Sequence, residues 1–152
     1  MPTRILTIGF TKTSAEAFFC TLVEAQVRRV LDVRLHNVSQ LAGFAKRGDL
    51  EYFLRTIGSI GYVPVELLAP TAEMLDAYRK RIESWAAYEQ RFLQLMAERR
   101  VDEQLSRDLL DGAALLCSED SPRHCHRRLV AEYLAEHWGD VTIHHLEPAR
   151  RR

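Results

Sequence analysis

The stretch Ala113–Leu134, AALLCSEDSPRHCHRRLVAEYL, constrains the fold more than any other part of the chain. An apolar run (Ala113, Ala114, Leu115, Leu116) reaches Cys117 and crosses a short polar turn, and Ser121-Pro122 is then a helix-start signal. A buried strand that feeds a helix belongs in an α/β domain. Cys117, His124, Cys125 and His126 thereby fall at one strand-to-helix junction, where a functional site is expected.

The rest of the chain repeats the same alternation. Ile5–Ile8 before Gly9, Val30–Val33, Tyr62–Val65 and Val141–His145 read as further strands, with Pro64 marking an edge position or a strand end. Thr13 or Ser14 caps a helix whose inward positions are Ala15, Phe18, Leu22 and Val23. His36–Gly48 reads as a loop of functional length. From Asp49, the spacing of Leu50, Phe53, Leu54 and Ile57 makes a helix stopped by Gly58 and Gly61. Pro70-Thr71 opens a helical region carrying Met74, Leu75, Tyr78, Ile82, Trp85, Tyr88, Phe92, Leu95 and Met96, an aromatic stripe read as core rather than as a cofactor box. Leu105, Leu109 and Leu110 suggest another helical turn or two before the Asp111-Gly112 turn, and Gly139 ends the last helix. The expected architecture is a single three-layer α/β domain, residues 1–147, with a mostly parallel sheet flanked by helices, and a basic disordered tail at 148–152.

Charge and cysteine content narrow the function classes. Among 152 residues, 21 basic side chains balance 21 acidic ones, so no overall positive field exists to hold nucleic acid or an anionic membrane, although a local basic patch stays open. No apolar run approaches membrane-spanning length and no signal-peptide pattern opens the chain, which points to the cytoplasm. Three cysteines in a reducing compartment argue against a disulfide framework and for at least one free thiol, with Cys20 expected in the core.

In an open parallel sheet, ligands bind beyond the carboxyl ends of the strands. That rule collects Gly9 and Phe10, Asp32 and Arg34, then Cys117, Ser118, Glu119 and the helix that follows. In a helix starting near Pro122, Cys125, Leu129, Tyr133 and His137 form one row and His126, Val130 and Leu134 the next, so Cys125 and His126 face in and Arg123, Arg127 and Arg128 lie toward the flanks or solvent. A thiol at a helix N-terminus beside His and Arg is favoured as thiolate; the alternatives are that Cys125 is a small buried hydrophobe and Cys117 the last core residue of its strand. Arg34 and Arg127 suit an anionic group, while Asp32 and Glu119 suit acid, base or orienting work, or, for Asp32, a plain ion pair with Arg34.

Two other chemistries compete for these residues. Cys117, His124, Cys125, His126, His144 and His145 are enough ligands for zinc, but no Cys-x-x-Cys knuckles occur, and His124, Cys125 and His126 cannot all face one ion from a regular helix. Cys117 and Arg123 have the Cys-x5-Arg spacing of a phosphate-cradling loop, yet Glu119 and Asp120 would put negative charge inside it and no glycine lets its amides converge.

The segment Leu115–Arg128, with its Cys-x-Glu-x-x-Pro-x-x-Cys-His-Arg run, resembles the signature of the bacterial and archaeal family called domain of unknown function 488. Thr7-Ile8-Gly9-Phe10, Asp32-Val33-Arg34 with Ser39 and Phe44, and Tyr62-Val63 look like that family's landmarks in its order. The resemblance implies a compact α/β fold and a site built from those positions, and it implies no established reaction. The chain departs from the family where Asn37-Val38 replaces a proline-bearing loop and Leu67-Leu68-Ala69 stands in place of a glycine after the third strand, which affects the outer wall of the pocket.

The leading expectation is an enzyme-like pocket for a small anionic or nucleotide-type ligand. Cys125 or Cys117 would be its thiol, His126 its proton carrier, Arg34 and Arg127 its anion partners with Gly9 and Phe10 beside them, and Asp32 and Glu119 its acid, base or orienting groups. The alternatives are a non-catalytic module for nucleic acid or nucleotide, which the balanced charge does not favour, and a zinc-binding Cys/His site. The sequence specifies no cofactor and no oligomeric state.

Overall fold

A computed structural model of the chain describes residues 2–35, 43–118 and 123–149. Its strands β1 (Thr3–Gly9), β2 (Arg29–Asp32), β3 (Gly61–Pro64), β4 (Ala113–Cys117) and β5 (Val141–His145) make one five-stranded sheet in the order β3-β2-β4-β1-β5. Every neighbouring pair is parallel. β3 is an edge strand and Pro64 its last residue, where a missing N–H is tolerated.

The helices are α1 (Ala15–Glu24), α2 (Arg47–Gly58), α3 (Ala72–Arg79), α4 (Trp85–Arg99), the single turns α5 (Val101–Gln104) and α6 (Arg107–Leu110), and α7 (His126–Trp138). Successive strand residues point to opposite faces, so each strand supplies two cores. Leu6, Ile8, Val30, Ala114 and Leu116 pack with Phe18, Phe19 and Leu22 of α1 and Leu50 and Leu54 of α2. Ile5, Leu31, Ala113, Leu115 and Cys117 pack on the other face with residues of α3 to α7, among them Phe92, Met96, Leu129 and Leu134. This is the single three-layer α/β domain expected from the alternating pattern.

The strand order explains why the helices divide as they do. The chain winds from β1 past β4 to β2 and on to β3, then reverses to β4 and passes β1 to reach β5. Right-handed crossovers put helices on one face for one winding direction and on the other face after reversal. The chain therefore leaves β1 and β4, which are neighbours, toward opposite faces, and a crevice opens at their carboxyl ends. Gly9 is paired with Cys117 there.

Several local expectations are corrected. Ser14 caps α1, accepting from the Ala17 N–H at 3.1 Å, but Phe19 takes the inward place expected for Val23, which is 45% exposed. Cys20, expected in the core, is exposed, because the inward face of α1 is set by Phe18, Phe19 and Leu22. α2 begins at Arg47 and a 3-10 turn spans Gly43–Ala45, so the loop is shorter than His36–Gly48; its residues 36–42 lie outside those described. The left-handed residue that stops α2 is Ser59, φ 52°, rather than a glycine. The stripe from Met74 to Met96 is carried by two helices, with Arg81 at φ 58° between them and Ile82 74% exposed. The Asp111-Gly112 turn is as expected: Gly112 has φ 76°, and a Cβ there would meet the Arg28 side chain at 2.9 Å. Of the basic tail, Arg150–Arg152 lie outside the described residues, while the Ala149 carbonyl accepts from Thr13 Oγ1 at 3.0 Å.

Candidate functional site

Asp32 is the last residue of β2, and its buried carboxylate accepts four hydrogen bonds. Oδ1 accepts from the Arg34 backbone N–H at 3.1 Å and from Arg34 Nε at 2.9 Å. Oδ2 accepts from Arg34 Nη2 at 2.8 Å and from the Tyr62 hydroxyl at 2.6 Å. Burial, then the hydrogen bond to Asp32, pushes the Tyr62 hydroxyl pKa up, so it stays a donor. With all these donors engaged, the carboxylate's geometry is that of an orienting group holding a bidentate arginine.

The Arg34 guanidinium lies over the Phe10 ring, 5.3 Å from its centroid. Phe10 is buried beneath it, and Gly9 is held in the β1 ladder opposite Cys117. Two of the three guanidinium nitrogens are fixed by Asp32. The third, Nη1, is buried and has no hydrogen-bond partner among the described residues. Arg34 lines a cleft of about 90 Å³ whose other walls include Cys117, Ser118, Cys125 and His126.

Cys117 ends β4 and Cys125 is the N-cap of α7, in extended backbone at φ −142° and ψ 139°. The two sulfurs stand in contact, and the Cα atoms are 7.4 Å apart. Against the expectation of no disulfide framework, these two sulfurs meet as a pair: cysteine number and compartment said nothing of how β4 and α7 meet. The free thiol also expected is Cys20. The helix start is corrected as well, since α7 begins at His126 and the Ser121-Pro122 signal lies outside the described residues.

Arg127, expected toward the flank or solvent, is 0% exposed, the largest fully buried side chain among the described residues. Its Nη1 lies 3.4 Å from Cys117 Sγ and 3.7 Å from Cys125 Sγ, so its charge favours thiolate at either sulfur once they are reduced. Arg127 faces the sulfurs from within the core and is not part of the cleft wall.

His126 Nε2 is 2.7 Å from the Val33 carbonyl oxygen. Only a protonated nitrogen can donate to a carbonyl, so Nε2 carries the hydrogen and Nδ1 the lone pair. Burial, reinforced by the Arg127 charge, lowers the imidazole pKa to about 4, against the opposing effects of Val33 and Asp32. His126 is therefore neutral at pH 7 and has the form of a proton acceptor or ligand. A ring nitrogen of His126 and the sulfurs of Cys117 and Cys125 all lie within 4.8 Å of one another.

The outer wall is aromatic. Trp85 stacks on His124, centroids 5.0 Å apart, and Tyr88 stacks on Trp85 at 5.2 Å, with Tyr78 edge-on to Trp85 at 5.5 Å. Reading the stripe as core holds for Met74, Tyr88, Phe92 and Met96, all buried in the cluster on this face of the sheet; Tyr78, Trp85 and Tyr88 also line the cleft. The change from Phe and Met to Tyr and Trp, which carry a polar atom on an apolar ring, was the available signal. Of the anticipated residues, Arg34, Asp32, Cys117, Cys125 and His126 gather at one end of the sheet. Glu119 lies outside the described residues, as does the loop that would test the Cys-x5-Arg cradle. His145 is engaged elsewhere, its Nδ1 2.7 Å from Thr7 Oγ1.

Burial also orders the thiols by reactivity. Iodoacetamide added to the native protein is expected to modify Cys20 first, with Cys117 and Cys125 reacting only after reduction and then more slowly; site-resolved mass spectrometry checks this. Faster labelling at Cys125 would contradict the burial described here.

The fold and site together define a parallel α/β domain with a Cys/His/Arg cluster at its strand ends. The chain belongs to the family described as Domain of unknown function DUF488, whose model matches residues 14–134. No curated protein and no solved structure matches it. The stretch replacing the family's glycine after the third strand forms a 3-10 turn, Glu66–Leu68, tied down by Arg99 Nη1 donating to the Leu67 and Ala69 carbonyls at 2.8 and 2.7 Å. Asn37-Val38 lies outside the described residues. No helix among the described residues is long and apolar enough to cross a membrane.

Proposed function

We propose that the cleft binds a small anionic ligand carrying a planar group, and that the Cys117/Cys125 pair and His126 do chemistry on it. The observation that carries this reading is Arg34: Asp32 fixes two nitrogens and leaves buried Nη1, unpartnered among the described residues, on the cleft. A buried cationic donor without a partner is costly, and an anion arriving there relieves that cost. The stacked Trp85 and His124 offer a planar surface for a base or another ring beside it. Asp32 is then the orienting residue, Arg127 the group that holds charge on sulfur, and His126 Nδ1 the proton acceptor. A nucleic-acid module gains little support, because the formal net charge is +0 and supplies no overall positive field.

Titration calorimetry on the reduced protein with inorganic phosphate, sulfate and adenosine monophosphate tests the reading. Binding of at least one anion is expected, weakened roughly 10- to 100-fold by Arg34→Lys, which keeps the charge but loses the planar fork. Trp85→Ala should weaken adenosine monophosphate and spare phosphate. Circular dichroism confirms that the variants fold. No heat with any of the anions, or affinities unmoved by Arg34→Lys, would refute the assignment.

A further inference from the structure

We propose that reduced Cys117 and Cys125, together with His126, form a three-ligand Zn2+ site whose fourth coordination position opens on the cleft. This inference does not depend on the anion reading at Arg34, and the proton-acceptor role of His126 Nδ1 belongs to the metal-free form, since a ligating Nδ1 has no lone pair left for a proton. Its basis is the clustering of two sulfurs and one imidazole nitrogen within 4.8 Å, all three residues buried and all three lining the cleft.

Sequence spacing argued against such a site, because consecutive residues of a regular helix diverge by about 100°. The structure removes that objection for two of the residues. Cys125 is the N-cap with extended backbone and His126 the first helical residue, so the chain turns between them and both reach the end of β4. His124 is exposed, stacks on Trp85 and is not one of the cluster's donors, so it leaves a position open.

Three further features fit a metal. His126 Nε2 donates to the Val33 carbonyl at 2.7 Å, the outer hydrogen bond that fixes the tautomer of a ligating histidine and presents Nδ1. The Cα atoms of Cys117 and Cys125 stand 7.4 Å apart, beyond the roughly 4.4–6.8 Å usual for a disulfide, and a shared ion accommodates that spacing. Arg127 Nη1 approaches both sulfurs and stabilises their thiolates. Two thiolates and an imidazole around Zn2+ make a neutral centre, and Arg127 adds a positive charge beside it, so water, hydroxide or an anion suits the fourth position. Soft sulfur with imidazole selects zinc over magnesium or calcium.

The chemistry balances without an unnamed partner. A thiol reductant opens the Cys117–Cys125 bond to two thiols, and two equivalents of it are oxidised to their own disulfide. Zn2+ then displaces one proton from each thiol and binds the imidazole lone pair, releasing two protons to solvent.

The test uses the full chain, purified with reductant. Elemental analysis after zinc loading is expected to give one Zn2+ per chain, and X-ray absorption on that protein two sulfur ligands, one imidazole and one light atom. Cobalt substitution should give the thiolate charge-transfer and intense visible bands of a tetrahedral site. Cys117→Ser and Cys125→Ser should each weaken zinc by more than about 100-fold, the upper range for loss of an outer partner, while Cys20→Ser leaves it unchanged. If either variant fails to fold, the wild-type absorption and cobalt spectra decide alone. Reduced, folded wild-type protein that binds no zinc, binds it without sulfur ligation, or holds iron or copper there in preference would overturn the proposal.

Discussion

Asp32→Ala is expected to lower the stability of the fold by about 3–5 kcal/mol, the cost of removing one partner from a buried ion pair and leaving the other uncompensated. The pair has side-chain exposures of 4% and 0%, so solvent does little to screen it. Without the carboxylate, the Arg34 guanidinium keeps, among the described residues, the face of Phe10, and the Tyr62 hydroxyl loses its acceptor. Replacing both members, Asp32→Leu with Arg34→Met, should recover most of the loss, because an apolar pair leaves no buried charge. Urea denaturation of the two single variants and the double variant completes a thermodynamic cycle. A loss below about 1 kcal/mol for Asp32→Ala would mean that the pair behaves like a surface salt bridge, contrary to this geometry.

The second large effect is on acid stability. His126 has its pKa lowered in the folded protein from 6.5 to about 4, chiefly by burial. Between those values the unfolded chain binds a proton that the folded protein refuses, so unfolding is favoured as pH falls. In metal-free protein the loss should begin as pH drops through about 6.5, grow to about 3 kcal/mol, and level off below pH 4. Burial, chiefly, also lowers the pKa of His145, which acts in the same direction. The difference between wild type and His126→Gln therefore isolates His126. A His126→Gln variant with the same stability slope between pH 6.5 and pH 4 would rule out this histidine as the source.

The sheet was legible because periodicity is a local property of sequence. Ile5–Ile8, Val30–Val33, Ala114–Cys117 and Val141–His144 all fall in or directly beside strands of the sheet. Parallel connection then placed Asp32, Arg34 and Cys117 at one end of it. The pairing of Asp32 with Arg34 was also within reach, since residues two apart at a strand end share a side.

What escaped the sequence depends on how separate elements meet. Arg127 was placed outward by helical phase and by its charge, yet the helix turns that side chain under the two sulfurs, where their polarizable surface accepts a cation. Trp85 and Tyr88 have the spacing of core residues. Both sit in the first turn of α4 and border the cleft together with Tyr78 of α3, and Tyr88 is buried in the core as well. The approach of Cys117 to Cys125 follows from α7 starting at His126, with Cys125 as an extended N-cap, which the Ser121-Pro122 signal did not foretell.

The most direct test of an anion site organised by Arg34 is mass spectrometry of small molecules released from freshly purified native protein, wild type beside Arg34→Lys. The account predicts an anionic, ring-bearing compound at near-stoichiometric level in wild type and strongly depleted in Arg34→Lys. The same compound at equal level in both proteins, or a bound molecule without negative charge, would contradict it.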